Sequence, residues 1–195
     1  MSWNADEAYL RGLDFFDSIV ERVPTEGWNG PTPCHAWRGI DVLGHVGAAT
    51  RFGTELLRGA SPTWSPTDEP GQEVEGAPAA WWRAISQPAR EVVREVDLTA
   101  EVDSPSGRRS VADGLGFPAV DLFVHGWDIA RSVGIDVEIP AEAIEFAHSF
   151  LDAVPTERLR RPSMFGNQVN AAPQASPTDA FIAWTGRDPG WRSPQ

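Results

Sequence analysis

Lysine is missing from the 195 residues, so all 16 basic side chains are arginine. With alanine, glycine, proline and aspartate abundant, that bias points to a GC-rich coding sequence. Positive charge is scarce altogether: 28 acidic residues leave a net charge of -12. An acidic surface repels nucleic-acid phosphates and anionic lipid headgroups, so neither nucleic acid nor membrane is an expected partner. Cysteine occurs once, at Cys34, which excludes an internal disulfide framework and fits a reducing cytoplasm. Long apolar runs are missing too, and no stretch approaches the roughly 20 residues that span a bilayer. The opening MSWNADEAYLRG has neither the basic n-region nor the apolar h-region of a secretion signal.

What is present suits a folded domain. Hydrophobic residues make up 41% and charged residues 23%, ordinary proportions for a soluble globular protein. The length is enough for one domain with a real core, here taken as residues 1–195. Apolar residues recur at helical spacing in four stretches. The first covers about Ala5 to Val23, with Leu10, Leu13, Phe16, Val20 and Val23 in its stripe. The second covers about Ile40 to Leu57, its stripe running Val42, His45, Ala49, Phe52, Leu56. The third covers about Pro78 to Val96, with Trp81, Ile85, Ala89, Val92 and Val96 inward and a kink or break expected at Pro88. The fourth covers about Val111 to Val133, closed by Gly134.

Between them, GWNGPTPC (27–34) breaks the chain. Residues 59–76 look too polar to pack as an element, and residues 97–110 read as a connector with short extended pieces around SPSG. A fifth helix is expected from Ala141 to Val154, followed by a loop-rich tail containing the short helix PTDAFIAWTG. The fold class is therefore all-α: an up-and-down four-helix bundle with extra C-terminal helices, its core at about 4–134 and an extension at about 135–195.

Two imidazoles and an acid stand out. His45 lies within the apolar stripe of the second helix and His125 within that of the fourth. Asp121 precedes His125 by four residues, so both lie on the same side of the helix. If both stripes face the bundle axis, His45, Asp121 and His125 form the ligand set of an open divalent-metal site. The bland alternative is that the histidines are hydrogen-bonded core residues and Asp121 an exposed acid. Spacing alone does not bring the second and fourth helices together.

The segments TPCHAWRGIDVLGHVGA (32–48), DLFVHGWDIARSVG (121–134) and GRDPGW (186–191) resemble, in this order, the DinB-like metal-binding bundle superfamily. They are most similar to the branch of mycothiol-dependent maleylpyruvate isomerase N-terminal domains and small actinobacterial relatives. The resemblance implies a four-helix bundle and a divalent metal, zinc or nickel foremost, held by His45, Asp121 and His125. Asp121 stands where the isomerase has glutamate, one methylene longer, and the isomerase also carries a larger second domain.

Other residues have two readings each. Asp128, three residues after His125, is the candidate catalytic group, holding a ligand or water or handling protons; it could equally pair with Arg131. Arg83 is the candidate cofactor-binding residue, able to meet an anionic ligand, against a solvated arginine as the plainer reading. Cys34 reads as a small buried hydrophobe rather than a nucleophile. Arg187 is expected to fold back over the bundle mouth.

The implied function is a transferase or isomerase in which the metal stabilises the thiolate of an external thiol, mycothiol by resemblance, for attack on an electrophile. Its partners would be that thiol and the electrophile, and a homodimer is compatible with the sequence. The alternatives are a metal-dependent hydrolase, or a non-catalytic bundle that binds a small molecule or a partner chain.

Overall fold

The computed structural model describes residues 3–63, 67–104, 107–161 and 164–194. Asn4 opens the first helix: its Oδ1 accepts the Glu7 amide at 3.1 Å, and Asp6 and Glu7 occupy the turn where the helix dipole favours negative charge. This helix, α1 (Ala5–Val20), ends short of the expected Val23 because Pro24 disfavours helical backbone just before it. Three further long helices complete the bundle: α2 (Gly39–Leu57), α3 (Pro78–Glu95) and α4 (Val111–Ser132).

Side-chain pairings give the directions. Gly12 lies against Leu122 and Gly126 against Phe15 and Ile19, so α1 and α4 run in parallel. The Trp82 indole donates to Asp17 at 2.5 Å and Arg90 donates to Asp14 at 2.6 Å, so α3 runs against α1. α2 packs on both α3 and α4. It advances in the same direction as α3: Gly47 meets Trp81, while Thr54 and Arg58 line a groove with Ala84 and Pro88. Parallel neighbours cannot be joined by a tight turn, which accounts for the long connection between α2 and α3.

That connection is not featureless, as its polarity suggested. Pro70–Glu73 form a 310 turn seated on α2. The Gly71 amide donates to the Asp41 carboxylate at 3.2 Å, and a Cβ on Gly44 would overlap the Pro70 carbonyl. Residues 64–66 lie outside the described residues.

Three further expectations are adjusted: the break allowed at Pro88 and the buried faces of α3 and α2. α3 continues through Pro88 without a break. The lost hydrogen bond falls on the carbonyl of Ala84, an exposed residue whose oxygen water can satisfy. The core face of α3 is also rotated by one residue: Trp82, Ile85, Ala89 and Val93 are buried, while Trp81 and Val92 are only partly so. Trp82 wins because its indole N–H has Asp17 as acceptor and its ring packs on Phe16, centroids 4.7 Å apart. On α2 the buried face runs through Leu43, Val46, Thr50 and Thr54 rather than Ala49, Phe52 and Leu56, which leaves His45 at its edge.

The connector before α4 is a hairpin, β1 (Glu101–Ser104) and β2 (Gly107–Ser110), antiparallel with Val102 opposite Arg109. Its Pro105 and Ser106 lie outside the described residues. Ser110 ends β2 and caps α4 by accepting the Asp113 amide at 3.1 Å. Gly134 stops α4 as expected, with φ +72° and the Ile135 amide reaching back to the Ala130 carbonyl at 2.8 Å.

The C-terminal segment holds α5 (Ala141–Leu151), a single-turn α6 (Thr156–Leu159) and α7 (Pro177–Trp184). α5 ends before the expected Val154. Leu151, Phe181 and Ile182 belong to the same buried apolar cluster as Leu13, Phe16, Leu43 and Ile129, so these helices share the bundle's core. Among the described residues no helix is long and apolar enough to cross a membrane.

Candidate metal centre

Helical geometry on α4 sets two acids and an imidazole in a row. Residues 121 and 125 are one turn apart, as are 125 and 128, and residues 122–130 are buried throughout. Gly126 allows this depth: a Cβ there would come within 2.8 Å of the Phe15 ring. From α2, His45 reaches the row, and its Nε2–H donates to Asp121 Oδ2 at 3.2 Å. His125 Nε2 stands 3.6 Å from Asp121 Oδ1, and the two imidazole centroids are 5.2 Å apart. The donor atoms of His45, Asp121 and His125 all lie within 4.8 Å of one another. The structure therefore brings together the three side chains that the sequence singled out.

Burial is graded across the cluster. The side chains of Asp121 and His45 are 35% and 27% exposed, that of His125 7%, and that of Asp128 0%. One side of the cluster faces solvent and the other is sealed. On the sealed side His125 Nδ1–H donates to Asp128 Oδ2 at 2.9 Å. Asp128 is in turn clamped by Arg187, whose Nε lies 2.8 and 3.0 Å from the two oxygens and whose Nη2 lies 2.8 Å from Oδ2. Arg131, the alternative partner for Asp128, pairs with Asp136 at 2.6 Å. Burial opposes the charge on Asp128, but the guanidinium and the His125 N–H outweigh it and hold the carboxyl below its usual range. Asp121 is governed the same way: burial pushes it up, and the pull of His125 and then of His45 takes it down to about 2. Both acids are carboxylates at neutral pH.

These contacts test whether the residues fit a metal ion. With its Nδ1 proton committed to Asp128, a neutral His125 turns the Nε2 lone pair toward a carboxylate oxygen. Two acceptors facing each other call for a proton or a metal cation between them. Tetrahedral zinc with bonds of about 2.0–2.1 Å has ligand atoms roughly 3.4 Å apart, close to the observed 3.2 and 3.6 Å. The donor set of two imidazoles and a carboxylate suits zinc, nickel and their neighbours. The residues fit.

A second group, Cys34, His125 and Asp128, also has its donor atoms within 4.8 Å, yet it is the poorer cation site. Its carboxylate is already neutralised by Arg187, and burial, followed by the charge of Asp128, pushes the Cys34 thiol up to about 12. A thiol held protonated is a poor nucleophile, and Cys34 is partly rather than fully buried, packed against the apolar cluster.

Trp37 was not picked out from the sequence. It covers both imidazoles, with centroids 4.9 Å from His45 and 6.1 Å from His125. The loop carrying it is tightly tied: the Thr32 hydroxyl donates to the Trp37 carbonyl at 2.9 Å, and Pro31 bridges Arg38. Within it Ala36 takes φ +71°, alone among the described non-glycine residues. Strain of this kind collects where a side chain must be held in place, and no spacing rule reveals it.

Arg83 lies apart from the cluster, exposed on α3 and 3.4 Å from Glu21 of α1. His35 is exposed, and His148 packs on Trp184 at 5.2 Å.

A helical bundle with a half-open histidine–carboxylate cluster is the class that fold and site define. The chain belongs to the mycothiol maleylpyruvate isomerase N-terminal domain family, whose profile matches residues 9–130. An uncharacterized protein of Mycobacterium tuberculosis is 26% identical over 186 residues, covering 92% of this chain and 96% of its own length. Among solved structures, a mutant of the mycothiol-dependent maleylpyruvate isomerase has the same fold with a TM-score of 0.64 at 13% identity, covering 84% of this chain and 72% of that one. Another crystal structure of that isomerase gives 0.57, also at 13% identity, covering 73% and 65%.

Proposed function

We propose that the protein is a divalent-metal bundle enzyme acting with a low-molecular-weight thiol of the mycothiol type, as a transferase or isomerase. The observation that carries this reading is the convergence of His45, Asp121 and His125 from two helices onto one half-open spot. Family membership supports the thiol, since the family is named for mycothiol. His45, Asp121 and His125 would hold the ion, zinc or nickel by donor chemistry. A divalent ion there supplies Lewis acidity that favours the thiolate of a bound thiol at neutral pH.

The chain's own residues divide the remaining work. Cys34 is held as a thiol, so an external sulfur is the nucleophile. Asp128 lies behind His125, where it orients the ring and is shut off from the open side. Proton transfer at the reacting atoms therefore falls to solvent entering past Asp121. The His45–Asp121 edge, the exposed part of the cluster, is where thiol and electrophile approach, and Trp37 forms the wall beside it.

The test is metal analysis of the purified protein, followed by turnover of mycothiol with maleylpyruvate and with a chromogenic aryl halide. Stoichiometric metal and thiol-dependent turnover, both lost in His45→Ala, are expected. Bound metal without any thiol binding would replace this reading with a non-catalytic binding bundle.

A further inference from the structure

The Arg187 clamp originates outside the four-helix bundle and beyond residues 9–130, where the family profile matches. α7 ends in a left-handed stop: Gly186 has φ +91°, its amide reaches Ala183 at 3.0 Å, and the Arg187 amide reaches Ile182 at 3.2 Å. The stop is pinned from the side as well. A Cβ on Gly186 would come within 2.7 Å of the Gly166 backbone, and Arg160 donates to the Gly166 and Trp184 carbonyls at 2.8 and 2.7 Å. From this anchored turn the Arg187 side chain runs inward to Asp128.

Its donors are committed there. Nε and Nη2 bind the carboxylate, Nη1 lies 3.5 Å from the Thr185 hydroxyl, and the side chain is only 10% exposed. Arg187 is thus not placed to receive an anionic substrate. What it controls is Asp128, a carboxylate with no exposure that would otherwise be uncompensated. Asp128 in turn controls which nitrogen of His125 carries the proton.

We propose that Arg187 is a positioning residue of the metal centre. By gripping both oxygens of Asp128 it locks His125 as the Nδ1–H tautomer, with Nε2 bare toward Asp121 and His45, so that the C-terminal segment sets the metal affinity. This rests on the metal reading above. An amide at position 187 cannot hold both oxygens, and a lysine offers only a point charge in place of the fork.

The experiment compares wild type, Arg187→Gln, Arg187→Lys and, as a stability control remote from the site, Arg90→Gln. Zinc affinity is measured by competition with a chromophoric chelator. The His125 tautomer is read in the metal-free protein by long-range proton–nitrogen NMR. Arg187→Gln should weaken zinc severalfold, up to the roughly 10- to 100-fold that loss of the histidine's own partner costs, and should mix the His125 tautomers. Arg187→Lys should recover part of both. Arg90→Gln, which loses its pairs with Asp14 and Asp17, should melt earlier with unchanged zinc affinity.

Wild-type zinc affinity and an unmixed tautomer in Arg187→Gln would overturn the proposal. Should that variant not fold, Arg187→Lys decides in its place, and full wild-type behaviour there overturns it. A wild-type protein that binds no metal would instead sink the metal reading, while the tautomer measurement would still decide the role of Arg187.

Discussion

Cys34 shows how far a residue's chemistry depends on neighbours the sequence does not adjoin. Its sulfur lies near Asp128, 94 positions away, and close enough to Arg187 to sense both charges. An ordinary thiol of pKa about 8.5 is roughly a quarter ionised at pH 8, whereas one raised to about 12 is ionised to about one part in ten thousand. Because the shift is upward, the reactive thiolate gains population only as pH climbs toward 12. Iodoacetamide at pH 8 should therefore modify the native protein at least about a thousandfold more slowly than the urea-unfolded chain, measured by mass spectrometry. Equal rates would show that Cys34 is open and ionisable. His45, Asp121 and His125 could be nominated in advance because imidazole within an apolar stripe is unusual and an acid four residues before it is a ligand spacing. Asp128 and Arg187 could be singled out one by one, but neither their pairing nor the role of Trp37 could. Their roles come from contacts across the chain and from a strained loop at Ala36, neither of which leaves a periodic trace.

For whole elements the apolar period was a good guide to where helices lie and a poorer guide to which way they face. α2 shows why: its deepest side chains include Thr50 and Thr54, polar residues made tolerable by the Thr54 hydroxyl donating to the Thr50 carbonyl at 2.8 Å. A hydrophobic count instead points toward Ala49 and Phe52. Glycine is the second source of error. Gly44 sits inside α2, where helix propensity alone predicts that alanine would stabilise by about 1 kcal/mol. The structure predicts the opposite sign, since the new Cβ must displace the Pro70 carbonyl and with it the Gly71 amide from Asp41. Overpacking typically costs about 1–3 kcal/mol, and Asp41 would lose one of its hydrogen bonds as well. Gly44→Ala should lower the urea midpoint at unchanged m-value, while Gly53→Ala, where a Cβ meets nothing within 4 Å, should leave it equal or raise it. A stabilising Gly44→Ala would mean that the 310 turn is not seated on α2 as described.

Taken as a whole, the molecule joins a centre whose parts are 76 positions apart from His45 to Asp121 and a further 59 from Asp128 to Arg187. Helix periods carry no information about such distances, so the bundle was legible from spacing and the meeting of its ligands only through resemblance to a known family. The same long separations would make an ion-loaded centre a cross-link. An ion held by His45 of α2 and by Asp121 and His125 of α4 binds the folded chain far better than the unfolded one, where the three side chains are scattered. Stability should then rise as RT ln(1 + [M]/Kd), about 2.7 kcal/mol at a hundredfold excess over Kd. For a chain of this size that is a Tm increase of about 5–10 °C. The comparison is calorimetry of chelator-treated protein with and without added zinc, repeated on Asp121→Asn and His125→Ala. Wild type should gain the full shift and each variant little or none, because two remaining ligands hold the ion too weakly for the added zinc to exceed its Kd by much. Equal shifts in wild type and variants would place the ion at some other group, and no shift in wild type would mean that the carboxylate and two imidazoles meet for a proton alone.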